Sequence, residues 1–246
     1  MKKIVLYIIP FLILSCSTPG TCLESTGSIV NQSVEVADFQ RIIVYPGISL
    51  VVAQGPKKVL IETGKNLISN IDIHVTDNQL IIKDVTDCNW VREYGQTIVY
   101  VTTPNLTEIY SKTEKNIRSQ GILTFPDLTL SAIDDFDKLD GAGTGDFHIS
   151  INNNHLIIGT NNVANFYIDG QTQTFSANFY EGTGRIEAAQ LMAQNINVYH
   201  RGANDMILHP IQSIQGNMYS TGNIICKNHP PIVNVTAHYH GQVIFQ

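Results

Sequence analysis

Acidic residues crowd one stretch of the chain, Asp134-Asp135-Phe136-Asp137 followed by Asp140. Glycoside cleavage needs paired carboxylates and Ca²⁺ needs several carboxylate oxygens, so this is where either chemistry would start. No second acidic cluster accompanies it, and a short charge run ordinarily reads as a solvated loop. The glycine-rich Ca²⁺ nonapeptide fails over residues 141–149, where Thr144 stands at a required glycine. His238 and His240 lie two apart in an apparent strand and would share a face. A metal site needs three or four ligands, and no acid or thiol lies beside them. His200 and His209 flank one segment without a motif. There is no Gly-x-Ser-x-Gly elbow, no Ser-His-Asp spacing and no phosphate-cradling glycine loop. The sequence predicts a chain with no catalytic residue, no metal and no cofactor.

Two other residue types bear on function. Lys2 and Lys3 precede an apolar run too short to span a bilayer, ending Ile13-Leu14-Ser15-Cys16. This resembles a bacterial lipobox, with residues 1–15 as the signal peptide and Cys16 as the lipid-attachment residue. An ordinary secretory signal is the alternative. Ser17 after the cysteine suits outer-membrane sorting, where the enterobacterial rule holds. Of the other cysteines, Cys22 and Cys88 could pair in an oxidising compartment, while Cys226 falls in an inward column as a small hydrophobe. Tyr167, Tyr180, Tyr199 and Tyr219 recur near turns, as surface contacts to a glycan or protein would. By alignment Tyr167 points outward while Tyr199 and Tyr219 lie in other columns, so a straight tyrosine ladder is not predicted.

The elements that would carry these residues are strands. Hydrophobic residues make up 43% of 246 and no long helical periodicity occurs, so the chain is read as all-β. A net charge of −6, with no basic cluster beyond Lys57-Lys58, excludes nucleic acid as a partner. From residue 141 onward the sequence repeats every roughly 20 residues, a spacing typical of stacked folds. Turn residues precede an apolar column of Phe147, Phe166, Ile186, Met206, Ile224 and Val243. A second column runs Leu139, Ile158, Val198, Gly216 and Val235. One such unit cannot bury its own apolar face, and stacking makes a continuous core.

The predicted architecture is a right-handed parallel β-helix-like solenoid of roughly 20-residue rungs. An N-terminal β layer would be packed on or stacked at one end. Residues 16–28 form a tether, 29–103 the N-terminal β module and 104–246 the solenoid module. Short alternating runs at 42–44, 48–52, 59–61, 71–75, 80–82 and 98–101 supply the first module's strands. Residues 121–140 break the period and are read as an irregular or inserted rung.

Several motifs resemble one family across about 29–245. Phe39-Gln40-Arg41-Ile42, Leu50-Val51-Val52-Ala53-Gln54-Gly55 and Val101-Thr102-Thr103-Pro104-Asn105-Leu106 resemble its opening strand, its first turn and its central junction. Gly143-Thr144-Gly145-Asp146-Phe147 and Glu181-Gly182-Thr183-Gly184-Arg185-Ile186 resemble its repeated turns. The family is the head-GIN domain of autotransporter adhesins, a bacterial envelope family without an assigned function. The resemblance implies a β-helix-like stack, an exported location and no assigned reaction; residues 161–165 lack its glycines.

The resulting expectation is a non-enzymatic envelope lipoprotein, probing surface proteins or glycans from a membrane anchor. Two alternatives stand beside it. A carbohydrate-binding or carbohydrate-processing β-helix requires aromatics or carboxylates to gather on one face once stacked. A structural component would form a homo-oligomer through Val243-Ile244-Phe245-Gln246.

Overall fold

The computed structural model describes residues 25–86, 96–134 and 141–246. Residues 1–15, Cys16, Cys22, Cys88, Asp135, Asp137, Leu139 and Asp140 lie outside the described residues. The all-β reading holds: the described residues form seventeen paired strands and one 3-10 turn, Ile68–Asn70.

The pairing runs in two columns. The first column is β1 (Ile29–Val34), β4 (Lys58–Gly64), β7 (Thr97–Thr103), β3 (Ile48–Gln54), β9 (Ile117–Ser119), then the first half of β11 (Phe147–Thr160). It continues through the first parts of β12 (Asn165–Phe179), β13 (Arg185–His200) and β14 (Met206–Met218) to β15 (Ile224–Cys226) and β17 (Val243–Phe245). The second column begins with the hairpin of β5 (Ile71–Thr76) and β6 (Gln79–Asp84), then β2 (Arg41–Val44), β8 (Glu108–Ser111) and β10 (Asp127–Ala132). The later halves of β11 to β14 follow, and β16 (Ile232–Ala237) comes last. From β3 and β2 onward every pairing is parallel, while β1, β4 and β5 pair antiparallel. The β5–β6 turn uses Asp77 and Asn78 at φ 49° and 64°, the left-handed pair of a two-residue hairpin.

Register follows from alternation, because successive strand side chains face opposite ways and a slip of one residue would turn every apolar group outward. Phe147, Phe166, Ile186, Met206, Ile224 and Val243 are successive register partners. All but Val243 are fully buried, and the Phe147 and Phe166 rings stack at 4.7 Å. Of the second predicted column, Ile158, Val198, Gly216 and Val235 share one register line, with Ala177, absent from the predicted column, standing between Ile158 and Val198. Leu130 stands against Ile158 where Leu139 was expected to begin it. The irregular segment is thereby corrected in part: Thr129 pairs with both Glu108 and Ile157, so β10 is a regular course. Its alternating Leu128, Leu130 and Ala132 bury against the core. The additional length falls between β10 and β11.

Polar ladders brace turns that open several courses. Asn165 donates its backbone N–H and its Nδ2 to Asp146 Oδ1, at 3.3 and 2.9 Å. Asn223 does the same to Asp205 Oδ1 at 2.9 and 3.0 Å, and Asn223 Oδ1 then accepts from the Gln242 N–H at 3.1 Å. The glycine before Asp146 is required by close approach, since a Cβ on Gly145 would lie 1.9 Å from the Lys115 carbonyl oxygen. Of the acidic segment, Asp134 is described, and its Oδ1 accepts from Gly143 N–H and Asn162 Nδ2 at 3.0 and 3.3 Å. That carboxylate straps a turn.

Candidate functional site

The outward residues of the second column form two neutral rows across β12, β13, β14 and β16. Ser176, Asn197, Gln215 and Asn234 are register partners, as are Asn178, Tyr199, Asn217 and Thr236 two residues further on. Neither row carries a charged side chain. The amides lock across strands: Gln215 Nε2 donates to Asn197 Oδ1 and Ser213 Oγ donates to Asn195 Oδ1, both at 2.8 Å. A shallow hollow of about 370 Å³ lies along these rows, lined by Asn178, Asn197, Gln215, Asn217, Asn234 and Thr236 among others. Gly216 on its floor has φ 134°, and a Cβ there would lie 2.0 Å from the Val198 carbonyl oxygen.

An aromatic row borders the face. Phe179, His200, Met218 and Ala237 are register partners, so the residues that follow them occupy equivalent places. These are Tyr180, Arg201, Tyr219 and His238. Tyr199 precedes Arg201 by two positions, so it faces the same way, and its ring enters the row between Tyr180 and Tyr219. Centroids are 5.9 Å apart from Tyr180 to Tyr199, 5.5 Å from Tyr199 to Tyr219 and 4.5 Å from Tyr219 to His238. His238 Nε2 also lies 2.9 Å from Asn217 Oδ1, which joins the aromatic row to the amides. Three of the four tyrosines singled out from sequence thus converge, although Tyr199 keeps a different register position from Tyr180 and Tyr219.

Tyr167 stands apart, on the first column. It is 39% exposed and stacks on His148 at 4.7 Å with 7° between planes. That pair edges a second hollow of about 520 Å³, with Arg118, Asp169, Glu187 and Gln190. Its carboxylates are engaged: Asp169 Oδ2 accepts from Ser150 Oγ at 2.9 Å, and Glu187 pairs with Arg185.

His238 and His240 lie beyond β16, not within a strand, and their rings have different partners, Tyr219 and Tyr239. Among the described residues no three His, Cys, Asp or Glu side chains are grouped to hold a metal. His200 is a core residue whose burial presses its pKa down to about 4, against an opposing pull from Asp205. Its Nδ1 accepts from the Gly202 N–H at 3.3 Å and its ring meets Phe179 edge-on. Cys226 is buried and its thiol is pushed up to about 12 by desolvation, which makes it inert. Sequence reasoning missed the burial of His200 and the role of His238. The shared strand end after Phe179, Met218 and Ala237 was the signal that could have located the second.

Comparison with solved structures returns the same fold in several bacterial proteins. A protein titled a putative adhesin from Bacteroides fragilis matches with TM-score 0.80 and 19% identity, over 91% of this chain and all of that one. One with the same title from Parabacteroides distasonis matches with TM-score 0.64 and 17% identity, over 91% and 100%. A third, also from Parabacteroides distasonis and titled a putative lipid binding protein, matches with TM-score 0.63 and 13% identity, over 90% and 99%. No curated protein matches the chain. The family described as "Putative auto-transporter adhesin, head GIN domain" matches residues 38–230, most of the chain's length. The chain belongs to that family.

Proposed function

We propose that this is a non-enzymatic cell-envelope lipoprotein that makes adhesive contacts with surface proteins or glycans through its tyrosine-edged amide face. The parallel courses would be the rungs of a right-handed β-solenoid, with the antiparallel strands of the 29–103 module closing one end. Lipid on Cys16 would hold it to a membrane, the outer membrane if the sorting rule applies, and residues 16–28 would tether the body. One observation carries the contact reading: Tyr180, Tyr199, Tyr219 and His238 gather along one border of an uncharged face. Tyrosine gives large contact area at low entropic cost and Asn and Ser give adaptable hydrogen bonds, the chemistry of antibody combining sites. Membership of an adhesin-like family supports the same direction.

Carbohydrate binding without cleavage is the second reading, favoured by that same gathering of aromatics. Cleavage has less support, because Asp134 is held by Gly143 and Asn162. The test has two arms. Palmitate should label the wild type and not Cys16→Ala, which should leave the membrane fraction. Liposomes bearing the full chain should be retained on envelope-bearing cells. Retention equal to bare liposomes would contradict the contact role, and labelled, membrane-bound Cys16→Ala would contradict the anchor.

A further inference from the structure

We infer that the amide face takes a neutral, linear glycan laid along the stacking direction, about one sugar to each course. This rests on the contact reading and names its ligand class. Charge comes first. The two outward rows contain no carboxylate, lysine or arginine, so they offer nothing to a polyanion or to a charged peptide beyond Arg201 and His238 at the border.

Hydrogen-bond polarity comes second. Asn197 Oδ1 already accepts from Gln215 Nε2, and Asn217 Oδ1 faces His238 Nε2. Among the described residues, Nδ2 of both asparagines and Oε1 of Gln215 have no protein partner, so donors and an acceptor stand side by side. A sugar hydroxyl both donates and accepts, and a vicinal pair of them matches this alternation without any ion. The oxygens are held by neighbouring courses, so the amide planes are set before a ligand arrives, which limits the entropy lost on binding.

Spacing comes third. Neighbouring strands lie about 4.8 Å apart. The advance per residue of an extended β-linked pyranose chain is similar, so successive sugars would meet equivalent amides on β13, β14 and β16. The aromatic border supplies the apolar side. The Tyr180–Tyr199 and Tyr199–Tyr219 planes are tilted by 44° and 49°, which leaves ring surface uncovered for sugar C–H groups. A long hollow gripped by many weak contacts suits a polymer better than a small molecule, whose sites enclose most of its surface.

The test is affinity electrophoresis of the full chain in detergent, through native gels containing hydroxyethyl cellulose, xylan, mannan or polygalacturonate. At least one neutral polymer should retard the protein, and polygalacturonate should not. Asn197→Ala/Gln215→Ala should weaken retardation at least tenfold, while Tyr167→Ala on the other column should leave it unchanged. Asn197→Asp, which keeps shape and adds charge, is the second variant and should also lose retardation. No retardation by any neutral polymer, equal retardation by polygalacturonate, or indifference to both face variants would overturn the inference. Cell retention separates this from the contact reading. Liposomes that still bind periodate-treated cells but not proteinase-treated ones would have a protein partner, which overturns the glycan and keeps the contact role. Liposomes that bind no cells would sink the contact role itself.

Discussion

His238 lies flat on Tyr219, with centroids 4.5 Å apart and planes 5° from parallel, and this pair ends the aromatic row just past β14 and β16. The two follow Ala237 and Met218, which are register partners, so one strand register brings both to the same corner. The row is therefore a product of the strand pairing, and it reports on whether that register is correct.

Aromatic pairs contribute about 0.5–1.5 kcal/mol beyond buried area. Tyr219 touches both Tyr199 and His238 while remaining 42% exposed. Tyr219→Ala should cost about 1–2 kcal/mol, a fall of a few degrees in melting temperature for a chain of this size. Differential scanning calorimetry reads it, and an unchanged melting temperature would mean the rings do not meet.

The buried column should be far more sensitive. Phe166 has no exposed surface and stacks on Phe147, so Phe166→Ala should cost about 3–5 kcal/mol in urea unfolding. A cost below 1 kcal/mol would place Phe166 outside the core.

Gly216→Ala tests the floor of the face. A Cβ there would meet the Val198 carbonyl at 2.0 Å, and φ 134° is itself strained for an alanine. Backbone strain of this kind costs about 1–3 kcal/mol, and denaturant titration should find at least that much.

His200 predicts the pH dependence. Its folded pKa is about 4 against an ordinary 6.5, so between those values the unfolded chain binds more protons. Stability is fully present above pH 6.5 and falls as pH drops toward 4, by at most on the order of 3 kcal/mol. His200→Leu should flatten that slope in chemical denaturation between pH 7 and 4, because no imidazole then remains to be charged on unfolding. An unchanged slope would assign the acid sensitivity to other groups.

Much of the scaffold was legible in the residues because strand side chains alternate and a one-residue slip is costly. The spacing from Phe147 to Val243 alone brought those positions into one line of register partners, buried up to Ile224. The short runs in residues 29–103 likewise became strands at nearly their expected bounds. Less could be read where the period stretches, and Leu130, not Leu139, stands against Ile158 because the additional residues follow β10. The aromatic row was hidden for another reason. Tyr199 sits two positions before the place held by Tyr180 and Tyr219, so column alignment separates them although the rings meet through their length. Irregular register between Tyr167 and Asp169, and again between Glu187 and Met192, further blurs the alignment of the first column. His200 was hidden because nothing in an isolated imidazole shows that Gly202 and Gly222 leave room to bury it.

The contact role depends on which face of the molecule meets its target, and one mapping experiment addresses it directly. Liposomes bearing wild type, Asn197→Ala/Gln215→Ala or Tyr167→Ala chains at equal density would be compared for retention on envelope-bearing cells. Loss of retention with the double variant, and wild-type retention with Tyr167→Ala, is the predicted result. Full retention by the double variant, with loss on changing Tyr167, would move the contact surface to the other column and contradict the account.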